Sequence, residues 1–234
     1  MNCDSYIRTL TDTFMITALL SDKNGSTVYK LLHRRLGNCI ILRKNTVPVP
    51  AYNILKNFKH NNLPEVYDSL HFDDGQIVLE EYIDGISVAE VLDSGKYTYH
   101  GAKTIITEVC LATETLHSFG IVHRDIKPEN IIVSNAGAVK LIDLNASRMQ
   151  DPLKTNDTRV LGTIGYASPE QMGISQTDAR SDIYALGVLL NVMLTGEHPS
   201  KTMAKGKVGR IIAKCTHIDP NRRYVSVKEL IQAL

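Results

Sequence analysis

Residues Ile121–Val133 read IVHRDIKPENIIV, and Leu141–Asn145 read LIDLN. Together they place two acids, a lysine and a carboxamide at fixed spacing between apolar, strand-like runs. Phosphoryl transfer needs a carboxylate to orient the attacking hydroxyl, oxygen ligands for Mg²⁺, and a cation near the transferring phosphate. Asp125, Asn130, Asp143 and Lys127 supply these groups. The bland alternative is a polar turn with solvated charges, and the joint occurrence of all four residues between strand-like runs argues against it.

Upstream, the first 82 residues carry short branched runs at Ser26–Leu32, Asn38–Leu42, Leu63–Leu70 and Gln76–Tyr82. Asn24-Gly25, Leu36-Gly37-Asn38 and Asp73-Asp74-Gly75 separate them as turns, which predicts an antiparallel sheet. Val49–Lys59 repeats apolar residues at helical spacing, but Pro48 and Pro50 leave room for little more than two turns. After Asp84-Gly85 the period becomes helical: Val88, Val91 and Leu92, then Ile105 to Leu116, ending at Gly120. Further helices are expected around Ile183–Leu194, over Val208–Cys215, and over Ser226–Leu234 with Ser226 as N-cap and Glu229 three residues on. The fold class is therefore α+β: a sheet-rich N-lobe (1–82), a joint at 83–85 and a mostly helical C-lobe (86–234), forming a single bilobal domain with a ligand cleft at the junction.

Composition narrows the function classes. With 26 Lys+Arg against 25 Asp+Glu in 234 residues, the net charge of +1 gives no global reason to expect nucleic acid or an anionic membrane as partner. No apolar run approaches the ~18 residues of a spanning helix. The charged start MNCDSYIRTLTDTF lacks the architecture of a secretory signal. Cys3, Cys39, Cys110 and Cys215 lie far apart without a CxxC pair, so a zinc site and a disulfide framework are not expected, and a cytoplasmic location fits.

The chain resembles the eukaryotic-type (Hanks-type) Ser/Thr protein kinases over nearly its whole length. The HRDxKPxN catalytic loop stands at His123–Asn130, and DFG is replaced by Asp143-Leu144-Asn145. GTxxYxxPE reads Gly162 to Glu170, followed by Gln171, and Asp182 and Arg223 match the family's helix F aspartate and late arginine. The resemblance implies ATP as phosphate donor, Mg²⁺ held by Asn130 and Asp143, Asp125 as catalytic base and Lys127 on the γ-phosphate. It also implies a protein Ser/Thr acceptor, from Lys127 and Thr163, and an ion pair between Glu170 and Arg223. For the nucleotide it implies contacts from Val28, Ile41, Arg43, Ile132 and Asp143, with the hinge Glu81-Tyr82-Ile83 supplying Glu81 and Ile83.

The chain departs from that pattern in its first half. The glycine-rich loop would place glycines at Ser21, Lys23 and Ser26, leaving Gly25 for close approach to phosphate and the hydroxyls of Ser21, Ser26 or Thr27 as substitutes. An ordinary hairpin turn is the rival reading of the same residues. Arg43, with Lys44 beside it, stands where the family has lysine, and Ile41 stands where it has alanine. No acid lies in Lys44–His60, and Ala51 occupies the place of the helix C glutamate, so most of that helix is expected to be missing. Glu80, on the strand beside Arg43, either takes over the pairing or turns to solvent or a backbone amide. About sixteen residues, Gly196–Ile211, follow helix F, so most of helix G is expected to be absent. Within it, Ser200–Arg210 (SKTMAKGKVGR) carries Lys201, Lys205, Lys207 and Arg210 without an acid, either as a solvated loop or as a docking patch for acidic partners.

Ser147, Thr155 and Thr158 are candidate phosphorylation sites that would pair with Arg124, Thr158 first. Two rival functions accompany the kinase reading: a pseudokinase acting as a non-catalytic protein-binding module, consistent with the altered loop, Arg43 and Ile41, and a kinase acting on a small molecule.

Overall fold

A computed structural model describes residues 2–150, 163, 165–172 and 177–234. Its contacts divide the chain into two units, Met1–Ile83 and Asp84–Leu234.

The first unit is a five-stranded antiparallel sheet with two short helices. Helix α1 (Cys3–Leu10) precedes β1 (Phe14–Lys23), β2 (Ser26–His33) and β3 (Cys39–Asn45); α2 (Pro50–Leu55), β4 (Val66–Phe72) and β5 (Gly75–Glu81) follow. The strand order is β1-β2-β3-β5-β4. Alternation sends Leu31, Ile40, Leu42 and Ile77 to one face, where Cys3, Tyr6, Ile7 and Leu10 of α1 cover them. The opposite face carries Val28, Ile41, Arg43, Val78 and Glu80, as the register Val28↔Arg43↔Val78 and Ile41↔Glu80 requires. Lys44 belongs to the α1 side, where it pairs with Asp4 at 2.6 Å.

Helix α1 and strand β1 lie where the sequence pattern signals no element. Met15, Ile16, Leu19 and Leu20 are exposed on an edge strand interrupted by two register shifts, so the period-two signal is lost. Strand β4 starts three residues after Leu63, because Pro64 has no N–H for the ladder and restricts the residue before it. Helix α2 is the expected short helix: six residues with Pro50 at its start and no side-chain N-cap. The buried Gln76 holds its entry, accepting from Val49 N–H (2.9 Å) and donating to Val49 O (3.3 Å).

The glycine-poor loop is a two-residue hairpin turn. Asn24 and Gly25 have φ of 54° and 76°, and Lys23 pairs directly with Ser26. Gly25 O accepts from Thr46 N–H (2.8 Å), and a Cβ at Gly25 would meet the Thr46 hydroxyl. The close approach made at Gly25 is therefore to the end of β3, in the hairpin turn that is the rival reading of these residues. Thr27 Oγ1 is likewise engaged, donating to Asp22 Oδ1 at 3.0 Å. Gly25→Ala is expected to cost roughly 1–2 kcal/mol, the penalty for an L-residue in the left-handed region. Urea unfolding measures it, and an unchanged midpoint would contradict the turn assignment.

The second unit contains β6 (Gly85–Ser87), α3 (Val88–Ser94), α4 (Tyr99–Ser118), β7 (Ile121–Val122), β8 (Ile131–Ser134), β9 (Val139–Leu141) and β10 (Arg148–Met149). Helices α5 (Ala179–Thr195), α6 (Gly206–Cys215) and α7 (Val227–Ala233) complete it. Ser87 and Glu90 form a capping box on α3, and Ser226 accepts from Glu229 N–H at the start of α7. Helix α5 is the buried core helix, entered at Asp178 and ended by Gly196 in the left-handed conformation. Helices α4 and α6 pack on it; Gly187 allows the close approach of α6, since a Cβ there would run into Cys215.

The segment that replaces helix G is fastened to α5 by a buried amide. Asn191 Nδ2 donates to Glu197 O (2.8 Å) and Thr202 O (2.7 Å), and its Oδ1 accepts from Ala204 N–H (2.9 Å). Among the described residues, no helix is long and apolar enough to cross a membrane.

Candidate active site

Two loops of the second unit start and end on the same paired strands. Residues 123–130 run from β7 to β8, and residues 142–147 run from β9 to β10. Because β7 pairs with β10 and β8 with β9, the loops lie side by side. Ile142 N–H donates to Asn130 O (2.9 Å) and His123 Nε2 to Ile142 O (3.3 Å). Asn130 and Asp143 thus flank one hydrogen-bonded backbone pair.

Asp125 gathers the remaining groups. Its Oδ1 accepts from Thr163 Oγ1 (2.7 Å), and its Oδ2 lies 2.8 Å from Lys127 Nζ and accepts from Asn130 Nδ2 at 2.9 Å. Lys127 Nζ also donates to Thr163 Oγ1 (2.6 Å). Sequence alone marks Thr163 as a sign of the Ser/Thr branch and gives it no part in the site; here its hydroxyl closes a ring with the acid and the lysine. Burial works to raise the Asp125 carboxyl, but the hydrogen bonds from Lys127 and Thr163 outweigh it and hold the group below its ordinary value.

The backbone beneath Asp125 is fixed by buried groups. Arg124 has φ +68°, a conformation that a bulky residue keeps only where its surroundings determine it. Asp182, fully buried on α5, accepts from His123 N–H (2.9 Å), Arg124 N–H (2.8 Å) and His117 Nε2 (2.8 Å). Gln171 Nε2 donates to Arg124 O (2.8 Å) from the other side. Asp143 also has positive φ, +66°, and its Oδ1 accepts from Asn145 N–H at 3.2 Å.

The donor set suits a hard cation. Both hydrogen bonds from the Asn130 amide nitrogen go to Asp125, one to its backbone O (2.8 Å) and one to Oδ2, which turns Oδ1 of Asn130 away from that carboxylate. A neutral carbonyl oxygen and the Asp143 carboxylate are the oxygen ligands that Mg²⁺ prefers, with its remaining positions left for water or phosphate.

The expected ion pair between Glu170 and Arg223 is present, buried and bidentate: Nη1–Oε1 is 2.6 Å and Nη2–Oε2 is 2.9 Å. Ser181 Oγ donates to Glu170 Oε1 (2.9 Å), and the guanidinium also donates to the carbonyls of Arg180, His217 and Ile218. This cluster ties Pro169–Met172 to the start of α5 and to the segment before α7.

Other expected site residues fall as follows. Val28, Ile41 and Arg43 share one face of the first unit's sheet and are buried. Glu81 closes β5, where its carboxylate accepts from Glu65 N–H (3.1 Å), and the buried Ile83 ends that unit. Ile132 lies on β8, paired with Ser87 and Lys140. Thr155, Thr158 and Gly162 lie outside the described residues. The Ser147 hydroxyl is buried, although the residue as a whole is half-buried.

Three carboxyls of this unit, Asp125, Glu170 and Asp182, sit below their ordinary values; burial opposes the shift in each, and hydrogen bonds from Lys127, Arg223 and His117 respectively lead the forces that overcome it. A depressed folded-state pKa gives stability that is complete above the unfolded values of about 3.9–4.3 and is lost as pH falls through the lower folded values. Acid titration followed by circular dichroism is therefore expected to show stability falling below about pH 4, with a shallower fall in Asp182→Asn. The same slope in both proteins would contradict the role of Asp182.

The protein kinase domain family matches residues 43–233 of the chain. A probable serine/threonine-protein kinase of Clostridium perfringens is 31% identical over 202 residues, covering 76% of this chain and 30% of its own. The serine/threonine-protein kinase PknB of Mycolicibacterium smegmatis is 34% identical over 161 residues (67% and 26%), and PknB of Mycobacterium tuberculosis 39% over 126 residues (52% and 20%). The chain thus spans less than a third of the length of these relatives.

Proposed function

Because the chain belongs to the protein kinase domain family, we propose that it transfers the γ-phosphoryl group of ATP to serine or threonine hydroxyls of a protein. Asp125 orients the acceptor hydroxyl and takes its proton as the new O–P bond forms and the bond to the ADP oxygen breaks. Lys127, 2.8 Å from that carboxylate, would steady the charge that develops on the transferred group. Asn130 and Asp143 would hold Mg²⁺, which neutralises phosphate charge and fixes the nucleotide in line. Val28 and Ile41, buried on one face of the first unit's sheet, would contact the adenine, the backbone of Glu81 and Ile83 would bond its edge, and Arg43 would meet the phosphates.

The observation that carries this reading is the closed set of contacts among Asp125, Lys127, Thr163 and Asn130. A polar turn with solvated charges has no reason to bury a carboxylate against three donors over a backbone held by Asp182. The test is incubation with γ-labelled Mg-ATP and a generic protein substrate, followed by phosphoamino-acid analysis. Label on serine or threonine is expected; label on tyrosine alone, or on neither, would overturn the assignment.

A further inference from the structure

The peptide bond leading into Asp125 is gripped at both ends. Its carbonyl, on Arg124, accepts from Gln171 Nε2 at 2.8 Å, and its N–H, on Asp125, donates to His123 Nδ1 at the longer distance of 3.3 Å. Because a peptide is planar, the direction of that carbonyl sets the direction in which the Asp125 side chain leaves the loop. Arg124 has φ +68°; Asp182 on α5 fixes its N–H side (2.8 Å), and Gln171 fixes its carbonyl side. Gln171 lies in the single turn Pro169–Met172, is 1% exposed and uses both ends of its amide. Oε1 accepts from Ser168 N–H (3.1 Å) and Ser168 Oγ (3.2 Å), while Nε2 reaches Arg124 O, 47 positions away in the sequence.

We propose that Gln171 is a positioning residue for Asp125: its amide orients the peptide before Asp125 and so keeps the carboxylate in register with Lys127 and Thr163. This rests on the role given to Asp125 in the function proposed above. The physical case begins with the backbone. A bulky residue at positive φ persists only where its surroundings over-determine it, and a buried carbonyl that loses its donor is costly. Removing the Gln171 amide takes away one of the constraints on Arg124, and the strain at that residue then favours relaxation of the loop that carries Asp125. The chemistry of the site also asks for an amide. One planar group has to donate to a carbonyl and accept from an N–H and a hydroxyl, which glutamine does and an ionised glutamate, being acceptor only, does not. The turn itself is anchored separately by the pair between Glu170 and Arg223, so loss of the amide leaves Pro169–Met172 docked. Thr163 donates to Asp125 Oδ1 (2.7 Å), so residues 163 and 171 hold Asp125 at its carboxylate and at its backbone respectively.

Steady-state transfer of labelled phosphate by the wild type, Gln171→Met, Gln171→Glu and Ser168→Ala, with a crystal structure of Gln171→Met, tests the proposal. Gln171→Met is expected to lower kcat about tenfold to a hundredfold, the effect of misplacing a reacting group by about 1 Å, with KM for ATP unchanged. Ser168→Ala, which keeps the bond to Arg124, is expected to retain the wild-type kcat. Gln171→Glu keeps the shape and serves if Gln171→Met does not fold. Its rate is expected to fall more steeply than that of the wild type as pH rises, because the ionised carboxyl cannot donate to Arg124 O. Arg124, Asp125, Glu170, Asp182 and Arg223 are common to both proteins, so the difference between the two profiles reports the new carboxyl. In the Gln171→Met structure Arg124 is expected to leave positive φ, or the bond from Thr163 to Asp125 to open beyond ~3.5 Å. An unchanged kcat in Gln171→Met, a Gln171→Glu profile parallel to the wild type, or an Arg124–Asp125 geometry identical to the wild type would each overturn it. A wild type that transfers no phosphate would strike the catalytic reading instead, and the Gln171→Met structure would then decide the positioning of Asp125 without reference to activity.

Discussion

Asp125→Asn is expected to lower phosphoryl transfer about 10²–10⁴-fold, the usual contribution of a positioned proton acceptor. The substitution keeps the shape of the side chain and can keep the bond from Thr163. It removes the charge that Lys127 faces and, on the function proposed, the group that takes the acceptor's proton. The Asp125 side chain is only 14% exposed, so a loss of stability has to be separated from a loss of chemistry. The two measurements belong together: initial rates with labelled ATP, and thermal unfolding. A variant with an intact melting curve and a rate within about threefold of wild type, far less than the usual contribution, would show that Asp125 is not the base. Burial raises the Asp125 carboxyl, but the hydrogen bonds from Lys127 and Thr163 outweigh it and hold the group below its ordinary value, which favours the ionised form.

The largest stability effect is expected at the Glu170–Arg223 cluster. Removing either partner leaves a buried charge without its counterion, which costs about 3–5 kcal/mol. In a chain of this size that corresponds to roughly 6–20 °C in the unfolding midpoint. Arg223→Ala should be the more damaging of the two single changes. It strips Glu170 of its bidentate partner and also removes donors from the carbonyls of Arg180, His217 and Ile218. Glu170→Gln should cost less, since the amide oxygen still accepts and Ser181 can still donate to it. The double variant Glu170→Met/Arg223→Met should recover a large part of the loss, because an apolar pair of similar volume avoids the desolvation of both charges. Equal small losses in both single variants would mean that the cluster is not holding Pro169–Met172 to α5.

The sequence exposed the site more fully than the sheet that accompanies it. The HRDxKPxN spacing marks the loop in the sequence, and the structure brings Asp125, Lys127 and Asn130 into contact. Glu170 with Arg223, and Arg43 with Glu80, were also legible, the first from the family pattern and the second from charge: a cation on a buried strand face draws the acid next to it. Helix α2 was legible in its brevity, through Pro48 and Pro50. What escaped were features whose signal is geometric. Strand β1 is exposed and bulged, so its apolar residues show no alternation, and α1 covers residues spread over several strands. Asn191 interrupts an apolar helix, and only the structure shows that its amide holds three backbone groups of the following segment. Thr163 gave its signal in GTxxY, but the bond to Asp125 joins positions 38 residues apart.

The most direct measurement is the initial rate of labelled γ-phosphate transfer to a protein substrate as a function of Mg²⁺ concentration, in wild type and in Asp143→Ala, with folding of both verified. The account predicts transfer that depends on the metal in the wild type and collapses in the variant at every metal concentration. Transfer that proceeds without Mg²⁺, or that survives undiminished in Asp143→Ala, would contradict the assignment of Asn130 and Asp143 as the metal-holding pair.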